Sequence, residues 1–161
     1  MIVVSNTSPL TNLAAIQQFD LLRALYQQIH ISRGVWSEMN AQGKSWPGRN
    51  EVADASWVTH HQVADEALVI ALMLQLDRGE AETIALALQL GANLVLMDET
   101  DGRRIAKRLG LQVVGVLGIL LEAKHHKLVD TVLPQVDMLR HAAGFYVNSN
   151  VYQMVRQLAN E

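Results

Sequence analysis

With 161 residues, half of them hydrophobic and 18% charged, the chain carries enough apolar material for one domain with a packed core, which excludes a disordered or acidic-tail protein. It contains no cysteine, so disulfides, thiolate metal sites and thiol nucleophiles are excluded together. A formal net charge of −3 gives no overall attraction to nucleic acid, and the most apolar stretch, ALVIALMLQL at 67–76, falls far short of the roughly 20 residues that a membrane span needs.

In chain order, IVVS at 2–5 reads as a short buried strand. SPLTNLAAI follows, with Ser8 as the expected N-cap and Pro9 at the first helical position. FDLLRALY at 19–26 is helical, QIHIS at 28–32 is a strand, and Ser32 is placed to cap a helix carrying VWSEM at 35–39. Gly43, Pro47 and Gly48 mark an irregular loop across 40–50. WVTH at 57–60 fits an edge strand, a long apolar helix is expected over 63–76, and RGEAETIALALQLG at 78–91 is a helix ended by Gly91. NLVLMD at 93–98 is the clearest central strand, an apolar run ending in an acid. DGRRIAKRLG at 101–110 is a helix, LQVVG at 111–115 a strand, and the tail is helical over 117–126, 130–143 and 149–159. Trp36 and Trp57 are expected in the core and Trp46 at the surface, where it would be free to stack on a base. This alternation predicts a single domain over 1–161, an α/β fold with a mostly parallel central sheet covered by helices on both faces. The N-terminus has no basic region ahead of its apolar run, so a soluble, cytoplasmic protein with no membrane association is expected.

Chemistry-bearing residues collect at the ends of these elements. Asp98 ends the central strand and Asp101 opens the next helix, where helix capping alone would account for an acid. Asp77 and Glu80 have capping-box spacing; Glu80 aligns with Ile84 and Ala87 on the inward side, and Glu82 lies about 200° away from it around the helix. Glu38 sits near the apolar face of its helix, three residues after Val35. Acids gathered where a sheet opens suit a hard cation, which takes several oxygen ligands in one place. Asn6 occupies the turn after the first strand, a neutral amide where an acid is expected.

Taken together, VSNTSPLTNL, LDRGEAETIALAL, LVLMDETDGRRIAKRLGL and VVGVLGILLEAK resemble a compact prokaryotic branch of the PIN-domain family, and the resemblance runs over 2–161. It implies a three-layer α/β/α sandwich and a nuclease whose acids hold Mg²⁺ or Mn²⁺ to cleave RNA phosphodiesters. It also implies kinship with toxin ribonucleases of toxin–antitoxin pairs, hence an antitoxin partner and a homodimer. Carried over by position, the family's acids fall on Asn6, Glu38, Glu80 with Glu82 as close competitor, Asp98 and Asp101. Asn6 departs from the family's Asp. An amide oxygen still coordinates a metal but brings no charge to offset it. Three readings follow: a weakened enzyme, a non-catalytic RNA-binding or regulatory protein, or a substitution made to obtain an inactive one.

In this reading Asn6 and the hydroxyls of Ser5, Thr7 or Thr100 are expected to orient metal-bound water. Arg103, Arg104, Lys107 and Arg108 crowd the helix after Asp101, either as a solvated face or as phosphate contacts. Rival classes fare worse. The chain has no glycine fingerprint for a dinucleotide, and Asn6 cannot serve as an aspartyl nucleophile.

Overall fold

Five short strands line up side by side in one sheet in the computed structural model, which describes residues 1–41, 43 and 45–161. They are β1 (Val3–Ser5), β2 (Ile29–Ser32), β3 (Val58–His61), β4 (Leu94–Leu96) and β5 (Val113–Val114). Their order is β3-β2-β1-β4-β5 and every pairing is parallel. Parallel neighbours require crossovers, and helices supply them. These are α1 (Thr7–Ala15), α2 (Leu21–Tyr26), α3 (Arg33–Met39), α4 (Arg49–Asp54), α5 (Glu66–Leu72), α6 (Arg78–Leu90), α7 (Thr100–Arg108), α8 (Val116–His125), α9 (Leu133–Ala142) and α10 (Ser149–Ala159).

The period of two along each strand sends alternate side chains to opposite faces, and two cores result. Val3 and Leu96 face a core shared with α1, α2, α8, α9 and α10. Val4, Val95 and Met97 face the other, which α5, α6 and α7 close. The three-layer α/β/α arrangement follows, with the sheet buried on both sides. The chain runs from β1 outward to β3, then returns to place β4 beside β1, so the strand order reverses between β1 and β4. The register Val3↔Leu94, Val4↔Val95 and Ser5↔Leu96 brings the carboxyl ends of those two strands level. The segments after them, starting at Asn6 and Met97, therefore emerge side by side. That crevice is where an open α/β sheet presents its working residues.

Helix α6 is fixed at both ends. The Asp77 side chain accepts from the Glu80 N–H, the Glu80 side chain accepts from the Asp77 N–H, and Gly91 terminates the helix in the left-handed region at φ 62°. Every residue from Gly79 to Ala87 is buried, and Ala81, Ala85 and Ala87 let the helix lie close over the sheet. Burying a side chain such as Ile84 there contributes about 1.5–3 kcal/mol.

Four local expectations are corrected. The apolar stretch over 63–76 forms a helix only from Glu66 to Leu72, because Asp65 caps the Leu68 N–H and the chain must unwind ahead of the extended Asp77 N-cap; Ile70 and Leu74 are left 59% and 85% exposed. Helix α1 begins earlier than expected, with Asn6 rather than Ser8 at the N-cap and Pro9 in the third helical position. Part of the loop across 40–50 gives way to α4, while Gln42 and Lys44 of that loop lie outside the described residues. Trp46 is half-buried rather than exposed. No helix among the described residues is long and apolar enough to cross a membrane.

Candidate functional site

Asn6 leaves β1 with its backbone N–H bonded to the Leu96 carbonyl at 2.9 Å, which ties the exits of β1 and β4 together. Because it has the same parity as Val4, its side chain faces α6, and it is 3% exposed. Its amide nitrogen donates to Glu99 Oε2 at 3.0 Å, and its Oδ1 accepts from the Thr83 hydroxyl at 3.4 Å. Ser8 donates its hydroxyl to the other Glu99 oxygen. Glu38 arrives from α3, held by the Thr7 hydroxyl, which donates to its Oε2 at 2.8 Å.

These groups meet beside Gly79. A Cβ built on that glycine would lie 3.0 Å from Glu38 Oε2 and 3.5 Å from both Asn6 Oδ1 and Asp77 Oδ1. The missing side chain leaves a small space faced by three oxygens, two from carboxylates and one from an amide. Glu80 stands behind it. Burial chiefly pushes its carboxyl up, and the charges of Asp77, Glu99 and Asp101 push the same way, against the pull of the Asp77 N–H. A buried carboxyl crowded by three others is an environment that a cation relieves.

The sequence-predicted residues separate into groups. Asn6, Glu38 and Glu80 adjoin the Gly79 space directly or through Asp77. Asp101 is coupled to Glu80 electrostatically but lies at the exposed rim, where it pairs with Arg104 at 3.3 Å. Asp98 faces elsewhere. Its Oδ1 accepts from the Val116 N–H at 2.7 Å and its Oδ2 from the Asn12 amide at 3.3 Å, so it fastens the start of α8 and the middle of α1 to the end of β4. Burial raises its pKa to about 6, against those two hydrogen bonds. Glu82 is buried against α3 and accepts from the Gly34 N–H, and burial also raises its pKa. A Cβ on Gly34 would collide with the Glu82 carboxylate, so the glycine permits this close approach.

Glu99 and Asp77 belong to the cluster without having been singled out for it in the sequence. Strand alternation carries the signal for Glu99: it shares parity with Met97, whose side chain lies on the α6 side, whereas Asp98 shares parity with Leu96 on the α1 and α8 side. Asp77 is conspicuous as a cap, and its Oδ1 has a second outlook onto the Gly79 space. Among the described residues, no group of three or more His, Cys, Asp or Glu side chains is arranged to hold a metal ion. The donors at Gly79 are all oxygens, a set that in kind suits a hard divalent cation rather than a soft one.

An all-parallel sheet between helical layers, with carboxylates collected at its strand-order reversal, defines an α/β/α sandwich with an acidic pocket at its topological switch point. A family model described as a PIN domain matches residues 2–161, and the chain belongs to that family. No curated protein matches it.

Proposed function

We propose that this protein is a divalent-metal-dependent endoribonuclease that hydrolyses RNA phosphodiester bonds at the Gly79 space. The observation that carries the reading is the convergence there of Glu38 Oε2, Asn6 Oδ1 and Asp77 Oδ1, with Glu80 and Glu99 close behind. Mg²⁺ or Mn²⁺, held by Glu38, Asn6 and Asp77 with Asp101 at the rim, would supply the positive charge that activates water and offsets the charge of the phosphate.

The chain's own residues divide the remaining work. Thr7 orients Glu38, the Asp77 N–H orients Glu80, and Asn6 with Ser8 orients Glu99, so the acids are positioned before substrate arrives. Glu80 uses Oε2 to accept from Asp77, and among the described residues no hydrogen bond engages its Oε1. As a carboxylate it is placed to take the proton of the attacking water at that atom. The water oxygen joins phosphorus, the phosphorus–oxygen ester bond breaks, and the departing oxygen takes a proton from solvent. No nucleophilic side chain is needed.

A specific observation favours a second reading, a non-catalytic RNA-binding or regulatory protein. The Asn6 amide donates to Glu99 and so satisfies that carboxylate without a cation. One experiment separates the two: incubation of a mixed RNA pool with the wild type in Mn²⁺ and in chelator, beside Glu38→Gln and Glu80→Gln proteins. The enzyme reading expects cleavage in Mn²⁺ alone, reduced on the order of 10²-fold in each variant, since several kcal/mol of charge stabilisation are removed. RNA bound but left intact under all conditions would establish the second reading.

A further inference from the structure

We propose that the cleft between the first turns of α3 and α6 is the channel by which a single RNA strand reaches Glu38, and that Arg33 and Arg78 are its two phosphate contacts. The proposal rests on the RNA-directed reading above and adds where the strand lies and what holds it.

The cleft has a volume of about 610 Å³ and opens directly onto Glu38, Asp77 and Gly79. Arg33 and Arg78 stand on its opposite walls, each the first residue of its helix. Cations are disfavoured at a helix start, where the peptide dipoles already present positive charge. Local helix chemistry therefore argues against two arginines in these positions; Glu66 and Glu82 account for Arg78 in part, and a polyanion in the cleft accounts for Arg33 as well. The guanidinium forms planar bidentate contacts to phosphate and is the natural side chain for that task.

The two arginines are also available. Arg33 has no ion pair among the described residues. Arg78 pairs with Glu66 at 3.2 Å, where both side chains are more than half exposed, and its charge also acts on the buried Glu82 carboxylate. Such a pair contributes about 0–1 kcal/mol and exchanges readily for a phosphate. The arginines of α7 differ: Arg103 donates to the Met97 carbonyl at 3.0 Å and Arg104 is paired with Asp101. Between the cleft walls, Gly34 and Gly79 keep the floor low, and Glu82 bridges the two helices through the Gly34 N–H. The geometry assigns Glu82 to the wall of the channel and Glu66 to the restraint on Arg78.

The test is fluorescence anisotropy of a labelled 12-nucleotide single-stranded RNA in Ca²⁺, with strand integrity checked on a gel and melting followed for every variant. Arg33→Ala and Arg78→Ala should each weaken binding about 3- to 10-fold. The double variant should lower the salt dependence of log K by about 1.4, roughly 0.7 for each phosphate contact on a single strand. Glu66→Gln should tighten binding a few-fold by freeing Arg78, and that gain should vanish in Glu66→Gln with Arg78→Ala. If the wild type binds and both the double variant and Glu66→Gln match it in affinity and slope, the channel is refuted while the RNA-directed reading stands. If the wild type neither binds this RNA nor cleaves the pool in Mn²⁺, both fall.

Discussion

Replacing Asn6 by Asp is the sharpest perturbation of the site, because the Asn6 amide touches a carboxylate on one side and looks onto the Gly79 space on the other. In Asn6→Asp the 3.0 Å hydrogen bond from the amide to Glu99 becomes a contact between two carboxylates. The lost hydrogen bond to a charged group was worth about 1.5–3 kcal/mol. The repulsion adds at most about 4 kcal/mol, the value for two charges about 4 Å apart at an effective dielectric of about 20. Solvent at the half-buried Glu99 reduces this, so a net loss of about 2–4 kcal/mol is expected in chelator. For a domain of this size the melting temperature should fall by about 5–15 °C. Mn²⁺ should reverse the loss, since a ligand at a hundredfold excess over its Kd restores about 2.7 kcal/mol. Thermal melts of wild type, Asn6→Asp and Asn6→Ala across a Mn²⁺ series provide the measurement, with Asn6→Ala expected to lose the hydrogen bond without gaining metal-dependent recovery. RNA cleavage at saturating Mn²⁺ should rise in Asn6→Asp. The reasoning fails if Asn6→Asp melts with the wild type in chelator, or if Mn²⁺ stabilises both proteins equally.

Gly79→Ala places a methyl group 3.0 Å from Glu38 Oε2, in the space assigned to the cation, so that carboxylate must shift to admit it; this crowding offsets a helix preference of at most roughly 1 kcal/mol, so melting should change little, yet Mn²⁺-dependent cleavage should fall at least tenfold, and undiminished cleavage would exclude this space as the reaction centre. Asp98 has its pKa raised to about 6, so its contribution to stability is fully present below about pH 4 and is lost as pH rises through 6. Urea unfolding in chelator should therefore show the wild type losing on the order of 2–3 kcal/mol more than Asp98→Asn over that window, and parallel pH profiles would contradict the burial argument. Glu80→Ala should cost about 1 kcal/mol through loss of the capping box, whereas Glu80→Gln, which retains an acceptor for the Asp77 N–H, should melt close to wild type.

Much of the fold was legible because its elements announce themselves locally. Four apolar runs became β1, β2, β4 and β5, and WVTH became the edge strand β3. Gly91 closed α6 by the left-handed turn that its residue type invites. The failures came where local signals competed. The stretch over 63–76 is apolar around its circumference, and hydrophobicity alone could not say that Asp65 starts the helix late or that the Asp77 cap forces an end before it. Asn6 takes the cap position expected for Ser8, since pairing of its N–H with Leu96 fixes where β1 ends, a contact made across 90 residues of chain.

The site illustrates a finer limit. Composition points to acids at the end of β4, but Asp98 and Glu99 are neighbours whose side chains leave on opposite sides of the sheet, and only the partner layers distinguish them. On the side of Leu96, Asp98 meets the start of α8 and the Asn12 amide, where an acceptor fastens two helices to the strand. On the side of Met97, Glu99 meets Asn6 and Ser8, and its charge reaches Glu80. The same parity rule brings Asn6, two residues beyond Val4, onto the α6 side. A one-residue slip of β4 would exchange the two acids, withdrawing Glu99 from the amide and leaving the α8 start without its acceptor. The register Ser5↔Leu96 thus selects which carboxylate faces Asn6 and which one holds the scaffold together.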